Sequence, residues 1–241
     1  MVIGLWIIII FTLLYEPIIG YFGYQKFKIA IKEKTNARSK YYINIIISLL
    51  IPTISILLLV FMTELKLSDI GIAIPNIDTA PLGPVMTYFI IGICLLYLLI
   101  ILYYCLGYHF NNKIRTKLIQ AKEKQLNAVS FSDMMPVTSK EKHIWNYVSF
   151  TAGVTEEIIY RGFLIFSLSY LFPAFTIWLV IIISSLLFGL AHTYQGGIGV
   201  IRTAIIGILF SGLYLGLGSI LPLIVLHFLI DYVAKLGESN K

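Results

Sequence analysis

Apolar runs of about 20 residues, the length that crosses the hydrocarbon core of a bilayer, recur along this 241-residue chain and leave room for few other folds. They lie near 2–22, 41–62, 84–108, 146–171, 174–194, 198–217 and 219–236, which predicts an all-α, polytopic transmembrane bundle of about seven spans. Only 12% of the residues are charged, about half the share in a soluble domain, and the mean hydropathy is +0.89. Very short connections join the last four runs, so these are expected to form one compact bundle. The predicted organisation is an N-terminal three-span region (1–109), a cytoplasmic loop (110–145) and a four-helix core (146–241). Near the end of the loop, Thr138-Ser139-Lys140-Glu141 reads as a capping box that starts a short interfacial helix, with a bend expected at Gly153. The first run has no basic segment before it and no small-residue cleavage site, so it is read as a retained helix rather than a signal peptide.

The net charge of +6 is confined to the loops, which points to membrane orientation and away from nucleic-acid binding. Loop 23–40 carries six basic residues, Lys26, Lys28, Lys32, Lys34, Arg38 and Lys40, and loop 110–145 carries seven, from Lys113 to Lys142. Loop 63–83 has only Lys66 against Glu64, Asp69 and Asp78. The positive-inside rule then places both basic loops in the cytoplasm and the N-terminus outside a cell membrane. Seven spans leave the C-terminus inside, in agreement with Lys235 and Lys241. Cys94 and Cys105 share one apolar run and read as small core residues, not as a disulfide framework or a metal site. Heavy use of Ile, Lys and Asn points to an AT-rich bacterial genome. The sequence assigns no oligomeric state.

Against this apolar background, Glu156, Glu157 and Arg161 place three ionisable groups within six residues. Each costs roughly 2.5–3.5 kcal/mol at the centre of a membrane helix. Two further polar clusters follow, Phe188 with His192 and His227 with Asp231, each spaced i,i+4 on one helix face. Glu157 and Arg161 share that spacing and can neutralise each other as a brace. Glu156 is rotated by about 100° and left free to work. The Phe188 ring can wall off one side of the His192 imidazole, and Asp231 can orient His227 and fix its tautomer. Each cluster taken alone also fits a plain interhelical tie. Three helices that bring Glu or His to the cytoplasmic half of the bundle point instead to one site. Glu156 falls about 14 Å below the cytoplasmic face, with His227 at similar depth and Asp231 shallower. His192 comes out too shallow by residue count, so its helix must be displaced or the site must open into a wet vestibule.

Other features read as structural. Glu16-Pro17 suggests a kink near the cytoplasmic interface with Glu16 snorkelling, and Arg202 suggests a headgroup or loop anchor. Gly207 with Ser211 and Gly212 with Gly216 permit close helix packing. Gly196-Gly197-Ile198-Gly199 reads as a loop.

The chain has no His-Glu-x-x-His zinc motif, no Gly-x-Ser-Gly nucleophile segment, and one membrane aspartate, too few for a paired-aspartate site. A glutamate with two histidines remains, suited to activating water and stabilising an oxyanion. Glu156-Glu157-xxx-Arg161, Phe188-xxx-His192 and His227-xxx-Asp231, in this order on successive helices, resemble the CPBP (Abi) family of CAAX-processing intramembrane endopeptidases and their bacterial relatives linked to bacteriocin processing and self-immunity. The stretch from Ala152 to Phe163 is close to the family's central motif, and the resemblance covers about residues 136–235. It implies a helical bundle with a conical cavity open to the cytoplasm and a glutamate-dependent protease without metal or other cofactor, so that 146–241 would be the catalytic core. Glu156 with His192 would activate water, His227 and Asp231 would stabilise the oxyanion, and Glu157, Arg161 and Phe188 would support the site. The CAAX-processing branch has Asn where this chain has Asp231. An ionised Asp cannot donate a hydrogen bond, so Asp231 must be protonated or act through His227. The implied partner is a hydrophobic or membrane-associated peptide or protein substrate, such as a bacteriocin or signalling-peptide precursor. Two alternatives stay open: a non-proteolytic immunity or regulatory scaffold, and a zinc enzyme with Glu156, His192, His227 and Asp231 as ligands.

The orientation has a direct check. Cysteines placed in loops 23–40 and 110–145 should resist impermeant thiol reagents in intact cells and react after lysis; ready labelling of intact cells would reverse the topology.

Overall fold

The computed structural model describes residues 1–126 and 132–236, and all regular structure among them is helical. Lys241 lies outside the described residues. Helix α1 (Val2–Leu14) and helix α2 (Tyr21–Glu33) are joined by a π-helical turn, Tyr15–Gly20. Pro17 lies in that turn, where its missing N–H breaks the regular ladder. Much of the segment expected as a loop at 23–40 is therefore helical. Helices α3 (Ala37–Phe61) and α4 (Pro84–Phe110) follow, and α5 (Asn112–Leu126) leaves α4 after a break at Asn111. The core is built from α6 (Ser139–Glu156), a second π-helical segment (Glu157–Leu164), α7 (Ile165–Leu171), α8 (Ile177–Ala191), α9 (Gly196–Leu217) and α10 (Leu221–Ala234). Four helices, Val2–Glu33, Ala37–Phe61, Pro84–Phe110 and Thr193–Leu217, are long and apolar enough to cross a membrane. Ile177–Ala191 and Leu221–Ala234 are apolar but shorter, and the bundle is polytopic as expected.

The capping box forms as read from the sequence. Glu141 N–H donates to Thr138 Oγ1 at 3.2 Å, and Thr138 N–H donates to Glu141 Oε2 at 2.9 Å. It starts no separate interfacial helix, however, because α6 runs unbroken from Ser139 to Glu156. Nor is the helix interrupted at Gly153. A Cβ at Gly153 would lie 3.1 Å from Phe228 N and 3.2 Å from Ile224 O, so the glycine exists to let α10 lie against α6. Gly196 also differs from expectation: at φ +79 it opens α9 directly, which reduces the connection from α8 to the turn Thr193–Gln195. The small residues of α9 do pack closely, Gly207 against Ser185 of α8 and Gly216 against Thr87 of α4.

Two features of the core position the site. Helix α8 has 15 residues, about 22 Å at 1.5 Å per residue, well short of a hydrocarbon core of about 30 Å. His192 stands at its C-terminal cap, with its side chain 14% exposed. At the end away from the basic segments, residues 71–78 fold back as a stopper. Asn76 N–H donates to Leu217 O, Asp78 N–H to Gly216 O, Ser219 Oγ to Ala73 O, and Ile220 N–H to Gly71 O. Gly162 has no Cβ to collide with the carbonyl of Ile70, just before that stopper.

Gly153→Leu should force α10 off α6. An overpacked contact of this kind costs about 1–3 kcal/mol, so the purified protein should melt at lower temperature than wild type, whereas Gly23→Ala, where a Cβ meets nothing, should not shift the melt.

Candidate active site

The widened turn Glu157–Leu164 presents the first charged cluster. Glu157 and Arg161 are fully buried, at 0% and 1% exposure, and Arg161 Nη1 donates to Glu157 Oε1 at 3.2 Å. The same oxygen lies 2.6 Å from His227 Nδ1. One carboxylate oxygen thus holds both the guanidinium of its own turn and the imidazole of α10. The acid that orients His227 is Glu157. Asp231 does not take that role: its Oδ2 stands 3.9 Å from His227 Nε2, and its side chain is 31% exposed. The guanidinium also stacks on aromatic faces, with Arg161 Cζ 4.0 Å from the Phe188 ring centroid and 5.3 Å from that of Phe210.

His192 is oriented from its own helix. Its Nδ1 lies 2.8 Å from the Phe188 carbonyl, which can only accept, so Nδ1 carries the hydrogen and Nε2 is left facing the bundle interior. The Phe188 ring packs edge-on against His192 with centroids 4.9 Å apart, and 6.3 Å from His227. It therefore separates both imidazoles from the core behind them. Glu156 sits between the two rings: its Oε2 is 4.0 Å from His192 Nε2 and 3.8 Å from His227 Nε2. These separations exceed a direct hydrogen bond and suit a bridging water. Glu156 Oε2 is enclosed and has no protein hydrogen-bond partner.

Two cavities, of about 570 and 500 Å³, share Glu156 and His192 in their walls. The larger runs to Lys26, Lys34 and Lys40 and also contains Glu16 and Tyr160. The smaller contains His227, Asp231, Phe210 and Arg202. All seven residues singled out from the sequence, Glu156, Glu157, Arg161, Phe188, His192, His227 and Asp231, thus gather in one region. Arg202 anchors the turn after His192 through Nη2 to Gln195 Oε1, 2.7 Å. Glu16 corrects an expectation. It does not snorkel, because Oε1 is enclosed, without a hydrogen-bond partner, in the same cavity as Glu156. The adjacent Pro17 gave the kink, but no local signal said which way the carboxylate would turn. Phe210 and Tyr160 were also unread, since an aromatic residue in an apolar helix has no distinguishing pattern. Among the described residues, no group of three or more His, Cys, Asp or Glu is arranged to hold a metal ion.

Glu157→Gln should strand a buried guanidinium and release His227. Breaking one partner of a buried pair costs about 3–5 kcal/mol, so this variant should yield much less folded protein and a lower melting temperature. Asp231→Asn, on a part-exposed side chain, should melt close to wild type.

Comparison with curated proteins and with solved structures gave no match. Residues 141–233 match the family model described as Type II CAAX prenyl endopeptidase Rce1-like. The matched segment begins at the Glu141 of the capping box and takes in Glu156, Glu157, Arg161, Phe188, His192, His227 and Asp231. Residues 141–233, and with them the whole of the clustered polar site, are thus similar to the CAAX prenyl endopeptidases that this family model describes.

Proposed function

We propose that this chain is an intramembrane endopeptidase in which Glu156 activates a water molecule to cleave a hydrophobic or membrane-associated peptide or protein. The observation that carries this reading is the approach of Glu156 Oε2 to two imidazole Nε2 atoms, at 4.0 and 3.8 Å, with both Nδ1 positions already engaged. A water placed between Glu156 and His192 donates one hydrogen to the carboxylate and the other to the unprotonated Nε2. As Glu156 takes its proton, the water oxygen forms a bond to the scissile carbonyl carbon, and the carbonyl π electrons move onto oxygen. That oxyanion accepts from His227 Nε2–H. His227 carries hydrogen on both nitrogens only as an imidazolium, and the carboxylates of Glu156, Glu157 and Asp231 all lie within 4.0 Å of its ring nitrogens as counter-charge. Collapse of the intermediate breaks the C–N bond, and the proton held by Glu156 passes to the departing amine. Asp231 acts in this scheme through the charge beside His227 Nε2 rather than as a donor.

The larger cavity meets the solvent among Lys26, Lys34 and Lys40. These belong to the segment that the positive-inside rule assigns to the cytoplasm, which supports a membrane-embedded site opening to that side, with the N-terminus outside. A water-filled approach from the cytoplasm would supply both the nucleophile and an exit for the polar product ends.

Glu156→Gln keeps the shape and removes the base, so it should abolish cleavage of a quenched membrane-inserted peptide while the protein still folds. His227→Ala should lower the rate on the order of 10²–10³-fold, as for loss of an oxyanion contact, and Asp231→Asn by much less. Full biological function of a Glu156→Gln variant that cleaves nothing would leave a non-proteolytic scaffold, and full cleavage by it would remove Glu156 as the base. Activity that follows bound zinc across the Asp231 and His192 variants would establish a metal enzyme instead.

A further inference from the structure

Glu16 is a half-buried acidic residue that the proposed chemistry does not use. Its position follows from the first π-helical turn, Tyr15–Gly20, whose Pro17 carbonyl accepts a hydrogen bond from Thr193 Oγ1 at 3.1 Å. Thr193 directly follows His192, so the turn that carries Glu16 is fastened to the segment that carries a site histidine. Gly20, one turn on, leaves space for the carboxylate: a Cβ there would lie 3.3 Å from Glu16 Oε2. Glu16 Oε1 is enclosed yet makes no hydrogen bond, and no lysine or arginine among the described residues is ion-paired with it. It shares the larger cavity with Tyr160, which is 2% exposed and whose hydroxyl is likewise enclosed and unpartnered, and with Glu156 Oε2, a third such atom.

Three residues that each hold an unpartnered oxygen, two of them glutamates, line one space. A carboxylate in such a space is costly unless it is protonated or paired, and an arriving cation would pair with it. The lysines at the cavity mouth are exposed and screened by solvent ions. The enclosed floor is screened far less, so the floor sets what can dwell there.

We propose that Glu16 is a specificity-determining residue, which binds the ammonium or guanidinium group of a lysine or arginine in the peptide, close to the bond presented to Glu156. Tyr160 Oη would complete the site as a neutral acceptor. The assignment rests on the protease reading for its biological use, but the cation site itself can be tested apart from cleavage.

The full chain in lipid nanodiscs is given quenched hydrophobic peptides that differ at one position, arginine against norleucine, moved stepwise through the residues on either side of the cleaved bond. The readout is the ratio of kcat/KM for the two peptides. Wild type should favour arginine at one or two adjacent positions, on the order of 10–100-fold, with the difference in KM. Glu16→Gln should bring that ratio to near one, and Glu16→Lys should favour glutamate at the same position, a reversal that mere loosening of the helix would not produce. In parallel, binding of the same peptides to Glu156→Gln protein is measured by fluorescence anisotropy, with and without Glu16→Gln. Cleavage with no charge preference at any position, or a preference untouched by Glu16→Gln, overturns the assignment and leaves the protease reading standing. Arginine-selective binding that depends on Glu16, with no cleavage by wild type, overturns the protease reading and keeps the site. No selectivity in either assay overturns the Glu16 assignment.

Discussion

A single oxygen, Glu157 Oε1, holds the active region together, because it bonds both Arg161 at 3.2 Å and His227 at 2.6 Å. In a fully buried setting neither charge could be kept without the other, since a lone carboxylate or guanidinium in low dielectric carries a desolvation cost of several kcal/mol. Their mutual pairing fixes the register between the widened turn after α6 and the middle of α10. Glu156 is the residue before Glu157, so the same bond that orients His227 also sets the distance from Glu156 to the imidazole. The aromatic faces of Phe188 and Phe210 on either side of the guanidinium extend this registration to α8 and α9. A change at Glu157 is therefore transmitted to four helices.

Packing makes that geometry reachable. Helices normally stand 8–10 Å apart, and a carboxylate can bridge to an imidazole on a neighbouring helix only where the backbones approach. Gly153 on α6 provides that approach, within one turn of Glu157 and beside Phe228, the residue next to His227. On the opposite side the short α8 ends inside the bundle, so the turn after it, rather than a helix flank, carries the third polar group. The stopper formed by residues 71–78 ties down the far end of α9 and the start of α10, while the larger cavity reaches the basic residues Lys26, Lys34 and Lys40.

Much of this was legible in the chain. Apolar runs announced the helices, and the i,i+4 pairs Glu157–Arg161, Phe188–His192 and His227–Asp231 announced which faces carry chemistry, because charges in apolar helices have few uses that do not involve a partner. The identity of each partner was not legible. Sequence spacing proposes Asp231 for His227, since both lie on one helix, whereas the bond forms to Glu157, 70 residues away. Local spacing records only contacts within a helix; contacts between helices depend on rotation about each axis, which a hydropathy pattern leaves free. Glu16 was misread for the same reason. A charge near the end of an apolar run can turn outward to headgroups or inward to a cavity, and only the docking of the first helix onto the turn after His192 decides.

Both glutamates that line the larger cavity adjoin a π-helical turn, Glu16 within Tyr15–Gly20 and Glu156 immediately before Glu157–Leu164. Such turns give up the regular i→i−4 ladder and are found at functional sites far more than chance would place them. Here the carbonyls they expose are used in a matching way. Tyr160 O accepts from Ser184 Oγ of α8 at 2.7 Å, and Pro17 O accepts from Thr193 Oγ1, just past the end of α8, at 3.1 Å. The two irregular turns thus bond to the chain on either side of His192 in sequence, one to α8 and one just past its end. The hydrogen bonds lost within two helices are recovered between helices, and what they fix in place is the imidazole that must face Glu156. Among the described residues, both π-helical segments lie where they hold that ring.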